Sequence, residues 1–312
     1  MQKLPDFPWD LLAPYGEKAK KYPAGFIDLS QGTPVDPTPE FIQTALAKAS
    51  NSPSYPLTAG SEKLKDAIKV WSVKNLGVTG EFDVLPTIGS KELIALLPTL
   101  LQSKSVLYPK VAYPTYLVGA LMASAQATPV DIDATTWPKA DLAWLNSPAN
   151  PTGQVQSKDE LLAAIHWARK NNAILASDEC YLSFVKDAKS ILALAGGDNT
   201  GLLAVHSLSK RSNLAGYRAA FVIGDSKLID QIRQIRKHAG LMVPSPVQAA
   251  MIAALSDDIH AQEQSQRYYA RGVKLKDALI KAGFTIQHSQ AGLYIWCTKG
   301  EDGFKTVDYF AD

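Results

Sequence analysis

Apolar residues recur at a helical period in some stretches and run as short continuous blocks in others. Residues 39–50 carry Phe41, Ile42, Ala45 and Leu46 on one side and predict a short helix. After Gly60, the residues Leu64, Ala67, Ile68 and Trp71 fall at i, i+3, i+4 and i+7, the stripe of a helix with one buried face. Helices are also predicted over 90–101, 115–125 and 227–238. A further one, over 157–169, opens with Ser157 and Glu160 as a capping box. Short apolar blocks at 105–108, 127–132, 141–146, 173–177, 202–207 and 219–223 read as buried strands. This alternation predicts an α/β fold with a mainly parallel sheet covered by helices on both faces. In such sheets ligands bind beyond the carboxyl ends of the strands.

From about residue 256 the pattern changes to a long polar helix and then an apolar segment, 288–298, that contains Leu-Tyr-Ile-Trp-Cys. These predict a second, smaller domain. The expected division is an N-terminal segment 1–38 joining the small domain, a large domain 39–254, and a small C-terminal domain 255–312. Tyr309-Phe310-Ala311-Asp312 falls inside a helical pattern with no stop signal, so the small domain is expected to be incomplete.

Hydrophobic residues make up 46% of the 312, enough for a large core and too many for a disordered chain. Lys and Arg total 32 against 30 Asp and Glu, so no global basic field favours nucleic acid or an anionic membrane. Prolines and acids occupy the start where a secretion signal needs an apolar run. The most apolar stretch, 93–101, is too short for a span and holds Pro98. A cytoplasmic protein without membrane or nucleic-acid partners is expected. Cys180 and Cys297 are too few for a disulfide scaffold. His166, His206, His238, His260 and His288 lack metal-ligand spacing, so no metal is expected. His206, at a strand end, is a candidate for support of a site.

Four polar clusters follow predicted strands. Gly89-Ser90-Lys91 opens a helix, whose free N–H groups and dipole suit a phosphate. Asn146 to Gly153 spells NSPANPTG, a turn-rich loop. Ser177-Asp178-Glu179-Cys180-Tyr181 places a carboxylate at a buried strand end, where it needs a cationic or donor partner. Ser207-Leu208-Ser209-Lys210 is followed by Arg211 and Arg218. Together these suit pyridoxal phosphate, which needs a lysine, an acid for its ring nitrogen, an aromatic neighbour and a cationic phosphate site.

The same segments resemble the fold-type I, class I aminotransferases over essentially the whole chain. NPTG at 150–153, SDECY at 177–181 and SLSK with Arg218 stand in that family's order. Further segments, including YPLTAG at 55–60, YPTY at 113–116 and HSLSKRSNLAGYR at 206–218, resemble the actinobacterial-type N-succinyldiaminopimelate aminotransferases. The resemblance implies a large domain with a mainly parallel sheet between helices plus a smaller α+β domain. It implies transfer of an amino group between glutamate and an N-succinylated diaminopimelate semialdehyde, in lysine biosynthesis. It also implies the residue roles. Lys210 would be the Schiff-base lysine and Asp178 the partner of the pyridine nitrogen. Tyr181 and Asn150 would bond the ring's 3′-oxygen, and Tyr113 would stack on the ring. The Gly89 turn, the backbone of Ser90 and Lys91, the hydroxyls of Ser207 and Ser209, and Arg218 would hold the phosphate. Tyr55 would reach the neighbouring subunit's phosphate, which implies a homodimer with shared sites. Gly32 and Asn150 would border the substrate. Family members continue beyond the equivalent of residue 312, and no arginine follows Arg271. The arginine that clamps the substrate α-carboxylate is therefore expected beyond the end.

Alternatives are another class I aminotransferase acting on aspartate or aromatic amino acids, a β-lyase, or a noncatalytic binding module on the same fold. Ser207 and Lys210 also fit the S-x-x-K nucleophile motif, but the accompanying S-D-N and K-T-G elements do not occur. For the succinyl carboxylate, Lys91, Arg211, Arg233, Arg236 and Lys237 are the candidate cations; solvated surface charge is the blander alternative for each.

Overall fold

The structure, a computed structural model, describes residues 4–291 and 293–311. Seven strands form one sheet: β1 Asp83–Ile88, β2 Ser105–Pro109, β3 Gln126–Val130, β4 Leu142–Asn146, β5 Ile174–Asp178, β6 Leu202–Ser207 and β7 Ala219–Gly224. Their order is β1-β7-β6-β5-β4-β2-β3. β3, β2, β4, β5 and β6 run parallel, while β7 is antiparallel to both β6 and β1. The sheet is thus mixed at one side, a refinement of the mainly parallel expectation.

Strand alternation divides the core. Ala143, Leu145, Leu175, Ala204, Phe221 and Ile223 join one buried cluster. Their sequence neighbours Leu142, Trp144, Ala176, Val205 and Val222 join the other, on the opposite face. With both faces covered, the strands must be continuously apolar, which is why β4, β6 and β7 are buried at every position. Only the polar residues at their ends reach a cavity.

Two elements escaped the hydrophobic pattern. β1 contains Pro86, normally evidence against a strand, but β1 lies at the sheet edge and has one neighbour only. Helix Ser245–Ser256 buries Ala250, Met251, Ala254 and Leu255, and packs against helices Glu40–Lys48 and Glu62–Trp71. It is apolar nearly all round, so it shows no stripe. Helix Ser90–Leu100 carries Pro98, whose missing N–H leaves the Ile94 carbonyl without its helical donor. Gly119 of helix Thr115–Met122 packs there; a methyl group on it would lie 2.8 Å from the Ile94 oxygen.

The C-terminal part has helix Ile259–Lys281, the antiparallel pair β8 Thr285–His288 and β9 Trp296–Thr298, and helix Gly303–Ala311. Asp312 lies outside the described residues. The N-terminal segment is tied to this part. Helix Ala13–Ala19 packs on Gly303–Ala311, with Lys18 bonded to Asp308 at 2.9 Å. Arg271 forks onto both Asp36 oxygens at 2.6 Å, and this holds the Asp36 carboxyl down at about 2. No helix among the described residues is long and apolar enough to cross a membrane.

Gly224 ends β7 at a φ of +145°, and a Cβ there would stand 2.1 Å from the Leu202 carbonyl oxygen of β6. Gly224→Ala is expected to cost about 2–3 kcal/mol, from backbone strain plus overpacking. Gly16→Ala, in an exposed helix with nothing within 4 Å, is expected to cost nothing. Urea unfolding of the two variants checks the difference.

Candidate active site

Three parallel strands deliver their last residues side by side: Asn146 of β4 pairs in register with Asp178 of β5, and β6 ends one strand further at Ser207. Asn146 is buried and organises the loop that follows it. Its amide donates to the Asp178 and Pro148 carbonyls, at 3.0 and 3.1 Å. Its Oδ1 accepts the Asn150 N–H at 2.7 Å. Asn150 is thereby fixed at the mouth of the site, at the start of a turn closed by Gly153 N–H to the Ala149 carbonyl at 2.7 Å.

Asp178 is 5% exposed. Burial raises its carboxyl above the ordinary range, while the Cys180 N–H, the Tyr116 hydroxyl and His206 pull it back. The Tyr116 hydroxyl donates to Oδ2 at 2.9 Å and the Cys180 N–H to Oδ1 at 3.1 Å. Its partners are therefore donors, and among the described residues no lysine or arginine pairs with it. Beneath it lies a second buried carboxylate, Glu179, which accepts the Ile191 N–H at 2.9 Å. Glu179 Oε2 stands 3.2 Å from His206 Nε2, and His206 stacks on Phe221.

After β6, the Ser207 hydroxyl donates to the Ser209 hydroxyl at 2.9 Å and accepts the Ser209 N–H at 3.1 Å. This turn starts the short helix Leu208–Arg211, which carries Lys210. Burial lowers the Lys210 ammonium below its usual range, Cys180 opposes that, and the Arg218 cation adds to it. Arg218 adopts φ +55° after helix 215–217 and donates to the Ala215 carbonyl at 2.9 Å. Its guanidinium lies across Gly89, where a Cβ would come within 2.2 Å of Nη2. Gly89, at φ +75°, immediately precedes helix Ser90–Leu100, so a guanidinium and unpaired helical N–H groups face one space. The Ser90 hydroxyl is within hydrogen-bonding reach of the Cys180 thiol, which burial pushes well up.

Aromatic groups enclose the space. Tyr113 packs edge-on against Tyr116, with ring centroids 6.0 Å apart, and feels Asp178, Cys180 and Arg218. Tyr181 bonds Tyr294 at 2.8 Å between hydroxyl oxygens. Gly32 faces the same corner, with a hypothetical Cβ 3.7 Å from the Tyr294 hydroxyl. The structure thus gathers Gly32, Gly89, Ser90, Tyr113, Asn150, Asp178, Tyr181, Ser207, Ser209, Lys210 and Arg218 about the strand ends. Tyr55 is 93% exposed and stands outside the gathering. Lys91 follows Ser90, but its ammonium lies over the Phe7 and Trp9 rings, 4.7 and 5.9 Å from their centroids.

Three of the cations considered for the succinyl carboxylate have structural partners. Arg211 is buried on Asp258 at 2.7 Å and on the Ala254 carbonyl at 2.9 Å. Arg236 is fully buried on Glu92. Arg233 bonds Asp230 and lies 3.5 Å from Asp83. These pairs are structural: Arg236 ties helix Ser226–His238 to helix Ser90–Leu100, Arg211 holds the start of helix Ile259–Lys281, and Arg233 faces β1 at Asp83. Sequence reasoning missed Tyr116 and Tyr294. Tyr116 sits in the apolar face of a helix, and Tyr294 in a segment read only as an apolar part of the small domain. The second tyrosine of Tyr113-Pro114-Thr115-Tyr116, in the first turn of that helix, was the available signal for the former.

A lysine with a lowered pKa, a buried carboxylate without a cationic partner, and a cradle of guanidinium and helix N-terminus that a single Cβ would fill match the requirements of pyridoxal phosphate. Comparison with known proteins agrees. The family model for aminotransferase class I and II matches residues 24–306. The chain is 47% identical to the 4-dedimethylamino-4-oxo-anhydrotetracycline transaminase OxyQ of Streptomyces rimosus, over all of this chain and 89% of that protein. It is 49% identical to the probable aminotransferase Rv1178 of Mycobacterium tuberculosis, covering 96% of this chain and 74% of the other. Among solved structures, a probable N-succinyldiaminopimelate aminotransferase from Thermus thermophilus superposes with a TM-score of 0.87 at 28% identity. That match covers 96% of this chain and 89% of the other.

Asp258→Ala is expected to destabilise the fold by about 2 kcal/mol, because it leaves the Arg211 charge buried with only neutral acceptors, the Ala254 and Asp257 carbonyls and the Ser212 hydroxyl. Adding Arg211→Met is expected to restore most of the loss. Denaturant unfolding of the single and double variants measures the coupling.

Proposed function

The chain belongs to the class I and II aminotransferases, which use pyridoxal phosphate, and we propose that it carries that cofactor between Asp178 and Lys210 and exchanges amino groups with glutamate. The observation that carries this reading is the buried Asp178 carboxylate, held by donors only, at the end of a central strand beside the Lys210 helix. In this reading Asp178 pairs with the ring nitrogen. Tyr181 and Asn150 bond the ring's 3′-oxygen, and Tyr113 covers the ring. The Ser90 and Lys91 N–H groups, Ser207, Ser209 and Arg218 hold the phosphate.

When bound, the cofactor supplies an electron sink for the carbanion left by the substrate α-proton. The chain's residues do the rest. Asp178, whose carboxylate the Tyr116 and Cys180 donors support, would hold the ring-nitrogen proton. Lys210 Nζ would be the base for the substrate α-proton; burial and Arg218 favour its neutral form, as a base requires. Arg218 and the helix N-terminus would hold the phosphate. Tyr113, Tyr181 and Tyr294 wall the site from water.

The proposed amino exchange is N-succinyl-LL-2,6-diaminopimelate plus 2-oxoglutarate to N-succinyl-2-amino-6-oxopimelate plus glutamate. The likeness to the Thermus structure supports it, as does 33% identity to the LL-diaminopimelate aminotransferase of Dehalococcoides mccartyi. With Arg211, Arg233 and Arg236 committed elsewhere, Lys91 and Lys237 are the remaining candidates for the distal carboxylate, and Lys91 would have to leave the Phe7 and Trp9 rings to reach it. The higher identity to OxyQ favours a second reading, in which the acceptor is a bulky cyclic ketone. In this reading a homodimer completes the site: Ile27, Leu29, Val35, Tyr55 and Leu57 are large apolar side chains left exposed, and Tyr55 would reach the phosphate of the second copy.

Two measurements test this. Amine transfer from glutamate should be followed with the succinylated semialdehyde, an aspartate-derived oxo acid, an aromatic oxo acid and a polycyclic ketone as acceptors. The succinylated acceptor is expected to give the highest kcat/KM; preference for the polycyclic ketone selects the second reading, and inertness toward glutamate defeats both. Gly89→Ala pushes a methyl group into Arg218 and strains a left-handed turn, so affinity for pyridoxal phosphate is expected to fall about tenfold or more in a reconstitution titration.

A further inference from the structure

Tyr294 reaches the site from a part of the chain far from every other residue there. Its hydroxyl oxygen is 2.8 Å from that of Tyr181, and the rings meet edge to face at 5.3 Å and 80°. Its backbone rests on the loop after β4. A Cβ on Gly153 would lie 3.1 Å from the Tyr294 carbonyl oxygen, Ala291 donates its N–H to the Gly153 carbonyl at 3.2 Å, and Gln290 Oε1 accepts the Val155 N–H at 3.1 Å. The backbone that presents Tyr294 to Tyr181 is therefore tied to the loop that carries Asn150.

A phenol has one proton and two lone pairs. When two phenols share one hydrogen bond, one gives its proton to the bond and the other keeps its proton for an acceptor beyond. Tyr181 follows Asp178 by three residues at the end of β5, and Tyr294 has no other hydrogen-bond partner among the described residues. We propose that Tyr294 is a positioning residue, which donates to the Tyr181 oxygen and so leaves the Tyr181 proton aimed at the cofactor's ring oxygen. The inference rests on the reading of Tyr181 given above. Donation from Tyr294 also polarises the Tyr181 O–H and makes it a stronger donor, as in any hydrogen-bonded chain. A stronger donor at the ring oxygen stabilises its ionised form, so the cofactor-loaded protein loses its proton at lower pH.

The groups facing this pair are Asp178, Cys180 and Tyr113. Burial drives the Tyr181 phenol well above its ordinary range and Tyr294 up to about 12, so neither ionises near neutrality. A pH transition there reports the cofactor and not the tyrosines.

The test is a pH titration of the visible absorbance of the cofactor-loaded protein. Tyr294→Phe keeps the ring and removes the donor, and the midpoint is expected to rise by about 0.4–1 pH unit. Tyr181→Phe is expected to raise it further, and Tyr294→Phe added to that background is expected to do nothing more. An unchanged or lowered midpoint in Tyr294→Phe overturns the inference; lowering would mean that Tyr181 donates to Tyr294. If Tyr181→Phe leaves the midpoint where it was, the reading of Tyr181 fails and this inference with it. If instead Tyr294→Phe shifts the midpoint in the Tyr181→Phe background as much as alone, the reading of Tyr181 stands and only the inference fails. 3-Fluorotyrosine at position 294, nearly the same size and a stronger donor, covers the case in which the phenylalanine variant does not fold. It is expected to lower the midpoint, and a rise would overturn the proposal.

Discussion

An ionised carboxylate sealed inside a protein is costly unless the surroundings hold it, and Asp178 imposes that cost at the centre of this fold. It ends a strand with both neighbours in place, so its backbone cannot move to water. The surroundings are arranged accordingly. Tyr116 reaches from helix Thr115–Met122 to one oxygen, and the N–H of Cys180 closes on the other. Asn146 binds the Asp178 carbonyl while gripping the loop that presents Asn150. Among the described residues no lysine or arginine pairs with the carboxylate. In the proposed reading this is functional: an ion pair within the chain would satisfy Asp178 and remove its affinity for a protonated ring nitrogen.

The positive charges are divided in a complementary way. Arg211, Arg233 and Arg236 are spent on Asp258, Asp230 and Glu92, and the Arg236 pair ties two helices together. Arg218, by contrast, bonds the Ala215 carbonyl at 2.9 Å, its one hydrogen-bond partner among the described residues, and leans over Gly89 toward the N-terminus of helix Ser90–Leu100. A guanidinium held by one neutral carbonyl keeps most of its donors for an anion. The same logic distinguishes Lys210, half-buried without a carboxylate partner, from the lysines paired across the surface.

The sheet was largely legible because strands buried on both faces have no choice but to be apolar, and their ends are marked by Asn146, Asp178 and Ser207. The capping box at Ser157 and Glu160 likewise placed a helix start to the residue. β1 was hidden by Pro86, which an edge position tolerates, and helix Ser245–Ser256 by having no polar face. The site's motif residues were readable because each lies within a few positions of a strand end. Tyr294 was not, since its contact with Tyr181 spans 113 residues and depends on how the C-terminal segment lies on Gly153. The arginines were misread for a related reason: Glu92 is 144 residues from Arg236, and burial by a distant partner leaves no mark on local pattern.

The central claim is that Lys210 is the residue joined to pyridoxal phosphate above the Asp178 carboxylate. Borohydride reduction of the cofactor-loaded protein, followed by peptide mapping, tests it most directly. The predicted result is a single phosphopyridoxyl adduct on Lys210, lost in Lys210→Ala. An adduct on another lysine, or an undiminished adduct in Lys210→Ala, would contradict the account.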